Sequence, residues 1–105
     1  MAGKIIRVKG VTFGKRQKHL KHMSNNSKIR LKPDPDNPVD PYAIKILADG
    51  WHIGFLPKKI ARKVSETWDL YKYFVLLYRI IPGDDHPDHQ RSWGVRIKLY
   101  RIRRK

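Results

Sequence analysis

Apolar and polar residues alternate in several separate stretches of this chain. In Lys4–Lys9, Ile6 and Val8 fall on one side and Arg7 and Lys9 on the other. Lys28–Lys32 does the same, with Ile29 and Leu31 against Lys28, Arg30 and Lys32. Trp93–Tyr100 repeats it, with Trp93, Val95, Ile97 and Leu99 opposing Arg96, Lys98 and Tyr100. A period of two predicts strands with one buried face. Tyr42–Ala48 and Trp51–Leu56 are further strand candidates, joined by Asp49-Gly50, a pair that favours a type I′ hairpin. Pro57 then suits a first helical turn. Ile60, Ala61, Val64 and Trp68 make one apolar face of a short helix over 57–67, with Lys58, Lys59, Arg62 and Lys63 on the other face. A long apolar strand, Tyr71–Ile81, follows, and Pro82–His89 is a polar loop before the last strand. In the less regular stretch Val11–Asn26, Lys15–His22 has room for a helical turn, and Ser24–Ser27 is a turn. The sum is a mainly β chain of about six strands with one or two short helices, which protects its edges best as a small barrel, closed or nearly so. Its 105 residues fit one domain, 1–105.

Charge changes the picture. Lys and Arg number 24 against 9 Asp and Glu, a formal net charge of +15. No acid precedes Asp34 and none follows Asp88. These basic arms still carry strand-like apolar positions, so the charge belongs to the outer faces of strands and not to tails. Self-repulsion of this size is relieved by a polyanion, and a basic domain is the usual electrostatic footprint of a nucleic-acid binder. Tyr100, beside Arg96 and Lys98, adds an aromatic of the kind on which single strands stack. A membrane surface would call for a longer amphipathic helix, and no apolar run approaches the roughly 20 residues of a span. The first residues pass straight into an alternating segment without an apolar h-region, which reads as no secretion signal. Absence of cysteine excludes a disulfide framework and thiolate zinc sites, and suits a reducing, cytoplasmic setting.

The most distinctive segment is Lys32–Ala43. Pro33, Pro35, Pro38 and Pro41 fix φ repeatedly and stiffen it. Asp34, Asp36, Asn37 and Asp40 line it. The segment reads either as a turn whose side chains bond its own backbone or as a rigid loop presenting a polar group to a ligand. Three aspartates also offer hard oxygens, but the prolines and the missing glycine argue against an EF-hand type of metal loop. Asp84-Asp85-His86-Pro87-Asp88-His89 reads as a solvated turn before it reads as a metal site, and His19 and His22 add to the basic surface. No Gly-rich phosphate loop, cysteine nucleophile or G-x-S-x-G motif occurs. The expectation is a binding protein without enzymatic activity and without metal or other cofactor. A metal-dependent nuclease built on Asp34, Asp36 and Asp40 stays as an enzymatic alternative. Sequence-neutral binding of duplex DNA or RNA through charge alone is the other.

The run Pro33–Ile46 (PDPDNPVDPYAIKI), then Gly50–Lys59 (GWHIGFLPKK) and Ala61, closely resembles the HIRAN domain, and Val8–Phe13 (VKGVTF) is similar to that domain's opening strand. The resemblance covers roughly residues 5–68 and implies a modified OB-like barrel. In some eukaryotic DNA-remodelling helicases such a domain captures the 3′-hydroxyl end of single-stranded DNA, a DNA-repair setting. Carried over, Asp40 would bond the terminal hydroxyl, Asn37 would support the loop, Lys58 would meet a backbone phosphate and Phe13 would lie in the pocket. The aromatic that precedes the loop aspartate in the eukaryotic form is Val39 here, a basic residue beside the pocket aromatic is Thr12, and a pocket histidine is Phe55. The expected surface comprises these positions with Arg7, Lys9, Lys28, Arg30, Lys32 and Arg62 as phosphate contacts. The expected partner is nucleic acid, with DNA favoured over RNA, and a helicase or nuclease acting in trans has a place beside a stand-alone domain of this kind.

Overall fold

The computed structural model describes residues 3–84 and 91–105. The elements run β1 (Lys4–Arg7), α1 (Arg16–Lys21), β2 (Ile29–Pro33), β3 (Ile44–Ala48), β4 (Trp51–Phe55), α2 (Lys58–Glu66), β5 (Tyr71–Ile81) and β6 (Gly94–Arg103). They form two antiparallel three-stranded sheets, β1-β6-β5 and β2-β3-β4. The alternation read from the sequence is the burial pattern observed. Ile6, Val8, Val95 and Ile97 from the first sheet meet Ile44, Ile46, Ala48 and Ile53 from the second in one apolar core. Leu20 of α1 and Ala61 and Val64 of α2 complete it, and the core holds no buried polar or charged residue among those described.

The β3–β4 hairpin has the expected turn. Asp49 and Gly50 both take positive φ, 50° and 87°, as a type I′ turn requires. The Asp49 carboxylate also accepts the Lys28 N–H at 2.9 Å, and that bond holds its pKa below the usual range. β1 joins the two sheets. Residues 4–7 pair with β6, whereas Lys9 exchanges both backbone bonds with Phe55, at 2.9 and 2.8 Å. Gly54 permits that approach, because a Cβ there would run into the Lys9 carbonyl oxygen and the Val8 side chain.

The expectation of a closed or nearly closed barrel is corrected in this respect. β2 lies against β5, but no ladder joins them, and the wall stays open along that line. Strand bounds also move. Tyr42 precedes the β3 strand, its N–H taken by the Asp40 carboxylate at 2.9 Å. The last strand starts after Trp93, whose N–H and carbonyl are held by the Gln17 side chain at 2.7 and 2.9 Å, and runs on to Arg103. The helix ends at Glu66, so Trp68 packs on the core from the turn that follows, stacked on Tyr73. The Asp84–His89 segment lies outside the described residues except for Asp84, which bridges to Arg91.

Candidate nucleic-acid interface

The proline-rich segment folds into a self-braced loop. Asn37 Oδ1 accepts the N–H groups of Val39 and Asp40 at 2.9 and 3.0 Å. Its amide nitrogen donates to Asp34 Oδ2 at 3.1 Å. The Asp34 N–H donates to the Ala43 carbonyl, and the Ala43 N–H to the Asp40 carbonyl. These bonds are of the Asx kind that asparagine and aspartate favour in turns, and the prolines remove the competing conformers. One Asp40 oxygen is used on Tyr42; among the described residues the other accepts no hydrogen bond, and the carboxylate lies in the field of Arg62.

Beside this loop runs a groove of about 510 Å³, lined by Lys9, Asn37, Val39, Asp40, Ala43, Phe55, Leu56, Lys58 and Ala61. The loop forms one wall. The β4 end, its partner Lys9 and the start of α2 form the others. Six residues singled out from the sequence therefore meet in one place: Lys9, Asn37, Val39, Asp40, Phe55 and Lys58. Val39 stands almost free in solvent, 88% exposed. The groove carries two ammonium groups, one open carboxylate oxygen and an apolar floor, and can take a charged ligand with a flat apolar part.

Phe13 lies outside the lining but is tied to it. The Arg16 guanidinium sits 5.6 Å from the Phe13 ring and 5.2 Å from the Phe55 ring, within cation–π range of both. It also donates to the Gly10 carbonyl at 2.7 Å. Partial burial pushes its pKa down from the ordinary arginine value. Arg16 is a residue that sequence reasoning passed over. Its position between a pair of aromatics 42 residues apart in number (13 and 55) follows only from the β1–β4 contact.

The remaining predicted residues lie outside the groove lining. Arg62, one turn after Lys58 on α2, rests 5.0 Å from the Tyr42 ring and is ion-paired with Glu66 at 2.8 Å; that carboxylate raises its pKa further. Arg30 and Lys32 project from the outward face of β2, opposite Leu47 and Lys45. Lys28 is exposed just before that strand. Lys45 is 4.0 Å from Asp34. Arg7 is on β1 opposite Arg96, away from the lining. On β4, His52 packs edge-on to Phe55 and donates from Nε2 to the Gly54 carbonyl at 2.9 Å. Burial, with Arg16 and Lys45 nearby, holds its pKa below the ordinary histidine value.

Asp34, Asp36 and Asp40 do not converge. Among the described residues, no three His, Cys, Asp or Glu side chains gather as a metal site. Nor is any helix long and apolar enough to cross a membrane.

Among curated proteins no sequence matches this chain. The crystal structure of the HIRAN domain of human HLTF superposes with a TM-score of 0.61 at 20% identity, covering 93% of this chain and 74% of that one. The two share a fold. The family model of the HIRAN domain matches residues 5–99, from the first strand into the last and across the whole groove. This chain belongs to the HIRAN domain family.

Proposed function

We propose that this chain is a nucleic-acid-binding module whose groove receives the 3′ end of a DNA single strand. The observation that carries the reading is the convergence of Lys9, Lys58, Asn37, Asp40 and Phe55 on one cleft. Lys9 and Lys58 supply charge for the last phosphates. Asp40 offers its open oxygen to a terminal hydroxyl, which is a donor, and a carboxylate makes a strong charge-assisted acceptor. Asn37 keeps the loop in the shape that aims it. Phe55, braced by Arg16, gives the terminal base an aromatic neighbour, and Phe13 extends the aromatic edge beyond the groove. HIRAN membership supports the nucleic-acid part of this reading.

The test is a competition between single-stranded oligonucleotides with a free and a phosphorylated 3′ end. Preference for the free end, lost in Asp40→Asn, is the expected result. Equal affinities would remove end recognition and leave the charge-only mode, in which duplex DNA and RNA compete as well as single strands. The role is one of binding without catalysis. Incubation with plasmid and single-stranded DNA in Mg²⁺ or Mn²⁺ tests that too, because cleavage abolished by Asp34→Ala or Asp40→Ala would turn the module into a nuclease.

A further inference from the structure

The outward face of the β1-β6-β5 sheet is built of cations and apolar groups arranged in rows. In one row, Arg7 of β1 lies opposite Arg96 of β6, which lies opposite Arg79 of β5. Three guanidinium side chains thus stand abreast across three strands. The next row is Ile5, Lys98 and Leu76. Beyond it Phe74 and Tyr100 pair across the strands with rings stacked at 5.2 Å and 8°, and then Lys72 faces Ile102. Gly3 backs the Tyr100 ring and adds no side chain over the face.

Like charges placed directly opposite on a sheet destabilise it. Among the described residues no ion pair relieves Arg7, Arg79 or Arg96. Ile5, Leu76 and Ile102 are exposed between the cations. A face with this cost, and with no acid in its paired rows among the described residues, is complementary to an anion. A second copy of the chain would set the same three arginines against each other, which argues against self-association.

β1 supplies the direction. Ile6 and Val8 point into the core, so Ile5, Arg7 and Lys9 share its outward side. Arg7 belongs to the arginine row and Lys9 lines the groove, two residues or about 6.6 Å along the strand. We infer that the arginine row is a second binding site, which clamps internal phosphates of the same single strand whose end enters the groove, while the Phe74–Tyr100 ridge carries its bases. This inference rests on the single-strand reading above, and it extends the contact from one terminal nucleotide to a run of them.

The experiment uses the full chain and 3′-phosphorylated single strands of about 4 and about 12 nucleotides, a span typical of OB-like folds. Blocking the 3′ end removes end recognition, so failure of the groove reading cannot imitate failure of this one. Arg96→Gln takes the middle cation out of the row. It is expected to weaken binding of the longer strand about tenfold, the usual loss for a hydrogen bond to a charged group, and to change binding of the shorter one less than about twofold. The same variant should melt no lower than the parent at low salt, because it relieves repulsion. Unchanged affinity for the longer strand overturns the inference. So does a dimer in sedimentation that Arg96→Gln dissolves. Should the variant unfold, photo-crosslinking of the unaltered protein to strands bearing 5-iodouracil decides: adducts on Phe74 or Tyr100 support the site, and adducts confined to Phe13 and Phe55 overturn it.

Discussion

Val39 is the residue at which substitution is most informative. Its side chain stands in solvent at the rim of the groove, so replacing it costs the core nothing. Val39→Trp should tighten binding of a free 3′ end by roughly tenfold, since one stacked base is worth about 1–3 kcal/mol; titration by fluorescence anisotropy reads the change. Asn37→Ala removes the acceptor for two backbone N–H groups and should cost about 1–2 kcal/mol of stability in urea unfolding, with end preference lost alongside. At His52 the sign follows from burial and the cations Arg16 and Lys45, which depress its pKa in the fold. The unfolded chain then holds more protons than the folded one just below pH about 6.5, and stability falls as pH drops through that window. His52→Gln, whose amide can still donate to the Gly54 carbonyl, should flatten that loss between about pH 7 and about pH 5 in thermal melts. One wall of the groove was legible from the residues, because Asn37 and Asp40 sit in a short, proline-marked stretch whose local bonding settles its shape. Arg16 was not, since nothing near it in sequence points to Phe55.

Among the elements, β4 depends most on a single atom that is missing. Gly54→Ala would push a methyl group into the Lys9 carbonyl and the Val8 side chain. The variant should lose about 1–3 kcal/mol, as overpacked cores do, and the groove should lose Lys9 from its wall. Denaturant unfolding and oligonucleotide binding measure the two effects on one preparation. The strands themselves were legible, because alternation of Ile and Val with Lys and Arg leaves only one way to bury the apolar side. The join between sheets was not. Lys4–Lys9 reads as one uniform strand, and only the tertiary register shows it changing partner between Val8 and Lys9. Tyr42 was misplaced for a local reason: the Asp40 carboxylate competes for an N–H that a ladder would otherwise use. The arginine row was hidden for the same reason as the join, since Arg7, Arg79 and Arg96 become neighbours through register alone.

For the whole molecule, the net charge of +15 makes ionic strength the governing variable. Single-strand binding loses about 0.7 in log affinity per neutralised phosphate for each tenfold rise in salt. Contacts at Lys9 and Lys58 alone predict a slope near about −1.4, whereas adding the arginine row predicts about −3.5. A salt titration with a strand of about 12 nucleotides separates the two. The position of β1 also sets an order of events. Lys4 lies opposite Leu99, so β1 has no ladder partner until β6 is made. Pairing over such a separation is slow, in the range of about milliseconds to seconds. Until then the basic N-terminal arm is an unregistered polycation, and Lys9 has no Phe55 to meet. A chain cut short before β6 is expected to keep most of its affinity for any polyanion and to gain none of the proposed discrimination, which oligonucleotide binding by the truncated chain measures. On the proposed function, the pairing of β1 with β6 is therefore what turns charge into recognition.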